Sequence, residues 1–147
     1  MYKRILIPVD GSQHAKRAVE AAIDVAKRYQ ASVFLLHAIR NLSLPREILE
    51  MIAAGEVTES RKEILQNSAE IILGNAKDQL NAAGITDVQS KYVVGKPASK
   101  ISEYAEQNKV DLIVLGHRGL GPHGSSSLGS VTRALLNITK ISCLVVT

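Results

Sequence analysis

The 147-residue chain has no tryptophan, one phenylalanine and one cysteine. A single thiol, Cys143, excludes an internal disulfide, and without a second thiol or a histidine pair at ligand spacing there is no zinc motif. Its expected role is that of a buried packing thiol. With one Phe and four Tyr, none interleaved with Lys or Arg, the chain lacks the material for stacking single-stranded bases, which argues against a nucleic-acid partner. No apolar run approaches the ~20 residues of a membrane helix. The opening "MYKRILIPVDGS" breaks its apolar run at Pro8 and Asp10, unlike a secretory signal. These absences give the expectation of a soluble, cytoplasmic protein without membrane insertion, folded as one domain over residues 1–147. Charge is also sparse in one place. The net charge of +4 is scattered, but no acidic residue follows Asp111, while Arg118, Arg133 and Lys140 remain. The C-terminal quarter is suited to an anion.

Strand-like apolar runs occur at "RILIPV", "SVFLLHAI", "VQSKYVV", "DLIVLG" and "CLVVT", and the segments between them repeat apolar residues at helical spacing. Residues 12–29 open on a capping-type Ser12 and place Ala15, Val19, Ala22, Ile23 and Ala26 on one face. A break at Gly55 and Thr58 precedes a helix from about Glu59 that stops at Gly84. "PASKISEYAEQNK" is a third helix with Pro97 at its entry, and "GSVTRALLNI" a short fourth. Alternating strands and helices predict an α/β fold, a five-stranded parallel sheet with helices on both faces. Periodicity leaves the orders 2-1-3-4-5 and 3-2-1-4-5 open. In both, ligands collect at the carboxyl ends of strands beside the switch point.

The most turn-rich stretch, "GHRGLGPHGSSSLGS" from Gly116, follows the fourth strand. Glycines expose backbone N–H groups to phosphate oxygens, and a helix beginning just beyond adds its positive dipole end. "GLGPHGSS" has Walker A spacing, but Ser125 stands where the lysine must be. "GLGPHG" matches a dinucleotide fingerprint, but Pro122 interrupts it and no acidic residue lies downstream for a ribose hydroxyl. Among the histidines, His37 in an apolar strand reads as a satisfied core residue. His117 and His123 have no neighbouring carboxylate in sequence to orient them for catalysis.

What remains, Gly116-x-x-Gly119, nine residues, then Gly129-Ser130, resembles the nucleotide-binding signature of the universal stress protein family. "RILIPVDGSQHAKRAVEAAIDVAKRYQASVFLLHAI", "VGKPASKISEYAEQNKVDLIVLGHRG" and "LGSVTRALL...CLVV" are similar to that family's first βαβ unit, its third helix and fourth strand, and its end; residues 42–66 are the least similar. The resemblance implies strand order 3-2-1-4-5 and ATP at the switch point. Carried over, it puts Pro8, Val9 and Asp10 at the adenine and ribose, with Ala38 against the base. It also implies Gly116, His117, Arg118 and Gly119 beneath the ribose and α-phosphate, Gly129, Ser130 and Val131 at the outer phosphates, and Leu115 among the ATP-binding residues. Mg²⁺ is expected through the phosphates, with Asp10 as its candidate protein ligand. It further implies a homodimer through the C-terminal edge strand, with a higher oligomer left open. The function expected is that of an ATP- or ADP-binding regulatory protein, not an enzyme, with slow ATP hydrolysis or phosphoryl transfer as the alternative. A further similarity, to members linked to compatible-solute uptake transporters, implies a transporter client. Two departures stand out: "PHGSSS" replaces a bulkier or basic stretch, and Lys140, Ile141 and Ser142 stand where the family usually has Pro-Cys-Pro.

Overall fold

A computed structural model describes residues 1–40, 50, 53–55, 60–119 and 127–147. Among the described residues the elements run β1 (Arg4–Pro8), α1 (Gln13–Tyr29), β2 (Ser32–Ile39), α2 (Ser60–Ala82), β3 (Val88–Val94), α3 (Pro97–Gln107), β4 (Leu112–Gly116), α4 (Ser130–Ile138) and β5 (Ser142–Val146). The strands form one sheet in the order β3-β2-β1-β4-β5, all pairs parallel. Of the two orders that periodicity left open, this is the one with β1 beside β4. Their carboxyl ends therefore face one crevice.

Strand alternation builds a core on each side of this sheet. Ile5, Ile7, Val33, Leu35, Leu112 and Val114 point to the face covered by α1 and α2, where Ala18, Ala22, Leu73 and Leu80 meet them. Leu6, Phe34, Leu36, Ile113 and Leu115 point to the opposite face, against Ile101, Tyr104 and Ala105 of α3 and Leu135 of α4. The period of two along each strand and the small residues of α1 fit together because alanines let that helix approach a sheet crowded with branched side chains.

Helix ends follow local chemistry. Ser12 caps α1 by accepting from Ala15 N–H at 3.1 Å. On the α1 face Ala18 is buried, while Ile23, expected there, is only half-buried. The third helix is shorter than the sequence suggests, ending at Gln107. Asn108 turns its side-chain amide back onto Tyr104 O at 2.9 Å, and Lys109 takes a left-handed φ of 53°. Gly84, at φ 88°, lies two residues beyond the end of α2. Cys143 is not the buried thiol expected. It lies half-buried on edge strand β5, and burial on its inner side raises the thiol pKa. The helix entry proposed at Thr58 and Glu59, and Pro122, His123 and Ser125 of the glycine loop, lie outside the described residues.

Candidate functional site

A cavity of about 1100 Å³ runs over the carboxyl edge of the sheet, just above the ~300–1,000 Å³ usual for small-molecule sites. The β1 end contributes Pro8, Val9 and Asp10; β2 contributes Ala38; the β4 end contributes Leu115, Gly116, Arg118 and Gly119; the start of α4 contributes Gly129, Ser130 and Val131. Of the twelve residues that the family resemblance assigns to the nucleotide, His117 alone is not in the wall. Its backbone works behind it: His117 N–H donates to Val146 O at 2.7 Å, and His117 O accepts from Gly129 N–H at 2.9 Å.

The turn after β1 is fixed by Asp10, whose carboxylate accepts from Ser12 N–H at 2.9 Å. That bond places the carboxylate beside the glycine loop, so closely that a Cβ on Gly119 would fall on Asp10 Oδ2. At Gly129 a Cβ would lie 3.1 Å from Arg118 Cα. At Gly119 the Asp10 carboxylate occupies the place of a side chain, and at Gly129 the backbone of Arg118 crowds it. Across the base of the loop, Arg118 donates to Ser127 O at 2.6 Å.

Helix α4 opens on the cavity with Gly129 as its N-cap and no side-chain cap. Arg133 N–H is the first to find an intrahelical carbonyl, on Gly129 at 3.0 Å. The N–H groups of Ser130, Val131 and Thr132 precede it, and such first-turn donors carry the positive end of the helix dipole. Arg133 itself is exposed and outside the wall. Thr132 is 4% exposed and donates its hydroxyl to Gly116 O at 2.9 Å.

Several wall residues were not anticipated. His37 is half-buried and lines the cavity, with Nδ1 on Val9 O at 2.8 Å. A carbonyl only accepts, so Nδ1 carries the proton. The sequence reading of a satisfied histidine holds, but its place is the cavity wall and not the core. Leu65, Ser68 and Ile72 of α2 close one side, and Lys96, Pro97 and Ile101 the other. His14 stands just behind Gly116 with its pKa lowered, first by desolvation, then by Arg17, His117 and Arg118, against an opposing pull from Asp10. Among the described residues no histidine is hydrogen-bonded to a carboxylate, and no group of three or more His, Cys, Asp or Glu side chains could hold a metal ion. None of their helices is long and apolar enough to cross a membrane.

Fold and site define a parallel α/β protein with a glycine-edged crevice at its topological switch point. The sequence pattern of the universal stress protein family matches residues 1–147, and the chain belongs to that family. It is 30% identical over 149 residues to universal stress protein YxiE of Bacillus subtilis, with 99% of each chain covered. It is similar in structure to protein MJ0577, with a TM-score of 0.81, 31% identity, and 99% and 96% of the two chains covered. It is also similar to a universal stress protein crystallised in complex with cAMP, with a TM-score of 0.68, 29% identity, and 99% and 97% covered.

Proposed function

We propose that this universal stress protein binds ATP in the switch-point cavity and acts as a nucleotide-dependent regulatory protein. The observation that carries the reading is the uncapped first turn of α4, opening on the cavity beside glycines whose Cβ positions are already taken by Asp10 and Arg118. That arrangement leaves backbone donors for an anion and a carboxylate for a hydroxyl or a hydrated cation. Apolar Val9, Leu36 and Ala38 along the β1 and β2 ends suit a base. The cAMP complex of a relative supports an adenine nucleotide as the ligand class.

In this reading Pro8, Val9, Asp10 and Ala38 hold the adenine and ribose. Leu115, Gly116, Arg118 and Gly119 lie beneath the ribose and first phosphate, and Gly129, Ser130 and Val131 hold the outer phosphates. Mg²⁺ accompanies the triphosphate through its phosphate oxygens, with Asp10 as the candidate protein contact. Binding is favoured over turnover because phosphoryl transfer needs a positioned base and a charge clamp, and no described histidine has an orienting carboxylate. The nucleotide would act by biasing a homodimer through the β5 edge, or contact with a client such as a solute transporter.

Chromatography of the small molecules released on denaturing freshly purified protein tests the ligand. ATP or ADP in near-stoichiometric amount is expected. Calorimetric titration of nucleotide-free protein with MgATP tests binding directly; no heat and no thermal stabilisation would refute the reading, since a ligand bound only by the native state must raise stability.

A further inference from the structure

Gly116 ends β4 and is packed from both faces of the sheet. On one side a Cβ there would come within 2.7 Å of His14 Cβ, so α1 leaves no room for a side chain. On the other, the Thr132 hydroxyl donates to Gly116 O at 2.9 Å across 16 residues of sequence. Gly116 is buried, and Thr132 is the buried polar side chain of α4, 4% exposed. A second tie lies one residue beyond Gly116 and three residues before Thr132: Gly129 N–H donates to His117 O at 2.9 Å. The start of α4 is thereby bonded twice to the end of β4, once through backbone and once through Thr132. α4 has no side-chain cap, so these two bonds tie its first turn to β4, while Val131 and Leu135 pack the helix on the sheet.

We infer that Thr132 is a positioning residue for the phosphate end of the ligand: its bond to Gly116 O aims the first turn of α4 into the cavity. The inference rests on the nucleotide reading above and deepens it by assigning the phosphate-specific part of affinity to one buried hydroxyl outside the glycine signature. Within a helix a threonine χ1 divides between two rotamers, and here the hydroxyl is used on Gly116 O of another element. A purely structural hydroxyl would affect stability and every ligand alike. A positioning hydroxyl separates triphosphate from nucleoside, because adenosine has no group at the start of α4.

Calorimetric titration with MgATP and with adenosine, on wild type, Thr132→Val and Thr132→Ser, makes the test. Thr132→Val keeps the shape and removes the donor; it should weaken MgATP roughly 5- to 10-fold, the equivalent of one hydrogen bond, while adenosine changes less than about twofold. Thr132→Ser should restore most of the MgATP affinity. If the valine variant does not fold, Thr132→Ala, which leaves room for a water on the Gly116 carbonyl, should show the same selective loss. Equal losses for both ligands, or no loss, overturn the inference and leave the nucleotide reading standing. Wild-type protein that binds neither ligand overturns both.

Discussion

Gly116→Ala should be among the most destabilising single-methyl additions in this protein. The added Cβ would lie 2.7 Å from His14 Cβ, 2.9 Å from the His14 carbonyl carbon and 3.0 Å from Arg118 O. None of these atoms is the tip of a flexible side chain; relief requires α1 or the loop to move. Overpacking of this kind costs about 1–3 kcal/mol, and backbone contacts put the cost at the upper end. At this chain length each kcal/mol lowers Tm by about 2–4 °C, so a fall of roughly 6–12 °C is expected. Gly74→Ala supplies the control of opposite sign. It lies inside α2 with nothing within 4 Å of the new Cβ, and alanine in a helix interior gains about 0.5–1 kcal/mol over glycine. Its Tm should rise by about 1–4 °C. Thermal melts followed by far-UV circular dichroism and calorimetry read both. A Gly116→Ala melt within about 2 °C of wild type would show that α1 does not press on β4 as described.

Ser130→Ala should weaken MgATP by about 10- to 150-fold if the hydroxyl bonds a charged phosphate, and Gly129→Asp should be worse because it adds a side chain and a negative charge beside Arg118 Cα; unchanged titration of the aspartate variant would put the phosphates elsewhere. His14 has a folded pKa below its ordinary value, so the folded state favours the neutral ring; its contribution to stability is full above about pH 6.5 and is lost as pH falls through the folded pKa. Urea denaturation of wild type and His14→Gln between pH 8 and about 5 should show a shallower acid loss in the variant, and identical slopes would contradict the assignment. Light scattering coupled to gel filtration, with and without MgATP, should find a dimer whose population responds to nucleotide, and Val145→Pro should favour monomer; a strict monomer refutes pairing through the β5 edge, whereas an unresponsive dimer refutes only its coupling to ligand.

Much of the fold could be read because local and tertiary preferences agree. β2 and β3 occupy the runs "SVFLLHAI" and "VQSKYVV" as read, and Ser12 caps the helix whose alanines pack on the sheet. Strand order came from family resemblance, since period-two patterns carry no information about neighbours. The glycines of the site were legible because close backbone approach demands them. The α2 wall was not: Leu65, Ser68 and Ile72 recur at the same helical spacing as Ala69, Leu73, Ala76 and Leu80, which enter the core. Sequence cannot say which stripe meets a cavity and which meets a sheet. Thr132 looked like any helix residue because its acceptor lies on another element, and His37 looked apolar because its strand is. The signal that would have flagged His37 is its place near the end of β2, one residue beyond Leu36, which pairs with Pro8.

The same bonds that shape the crevice also reach the edge of the sheet. His117 N–H donates to Val146 O, so in this parallel ladder the polar backbone groups of Val146 face β4. Successive residues of a strand turn these groups to opposite sides, which directs the N–H and C=O of Val145 away from β4, toward the open edge. The Val145 side chain still packs on the core beneath α4. A second copy adding to this edge would therefore bond Val145 directly, while Val146 holds the β4 side through His117, whose carbonyl in turn fixes Gly129 at the start of α4. Only a few covalent and hydrogen-bonded steps separate an occupant of the α4 end from an occupant of the β5 edge. Two ligands that each favour one arrangement of such a short, rigid segment must influence one another's binding, with equal coupling in both directions. Dimerisation that tightens MgATP should thus be matched by MgATP that tightens the dimer. Dilution below the dimer dissociation constant, with ATP affinity followed by calorimetry, measures one leg, and sedimentation at saturating MgATP measures the other; an ATP affinity that is the same in monomer and dimer, with a dimer dissociation constant that MgATP leaves unchanged, would refute the coupling between crevice and edge.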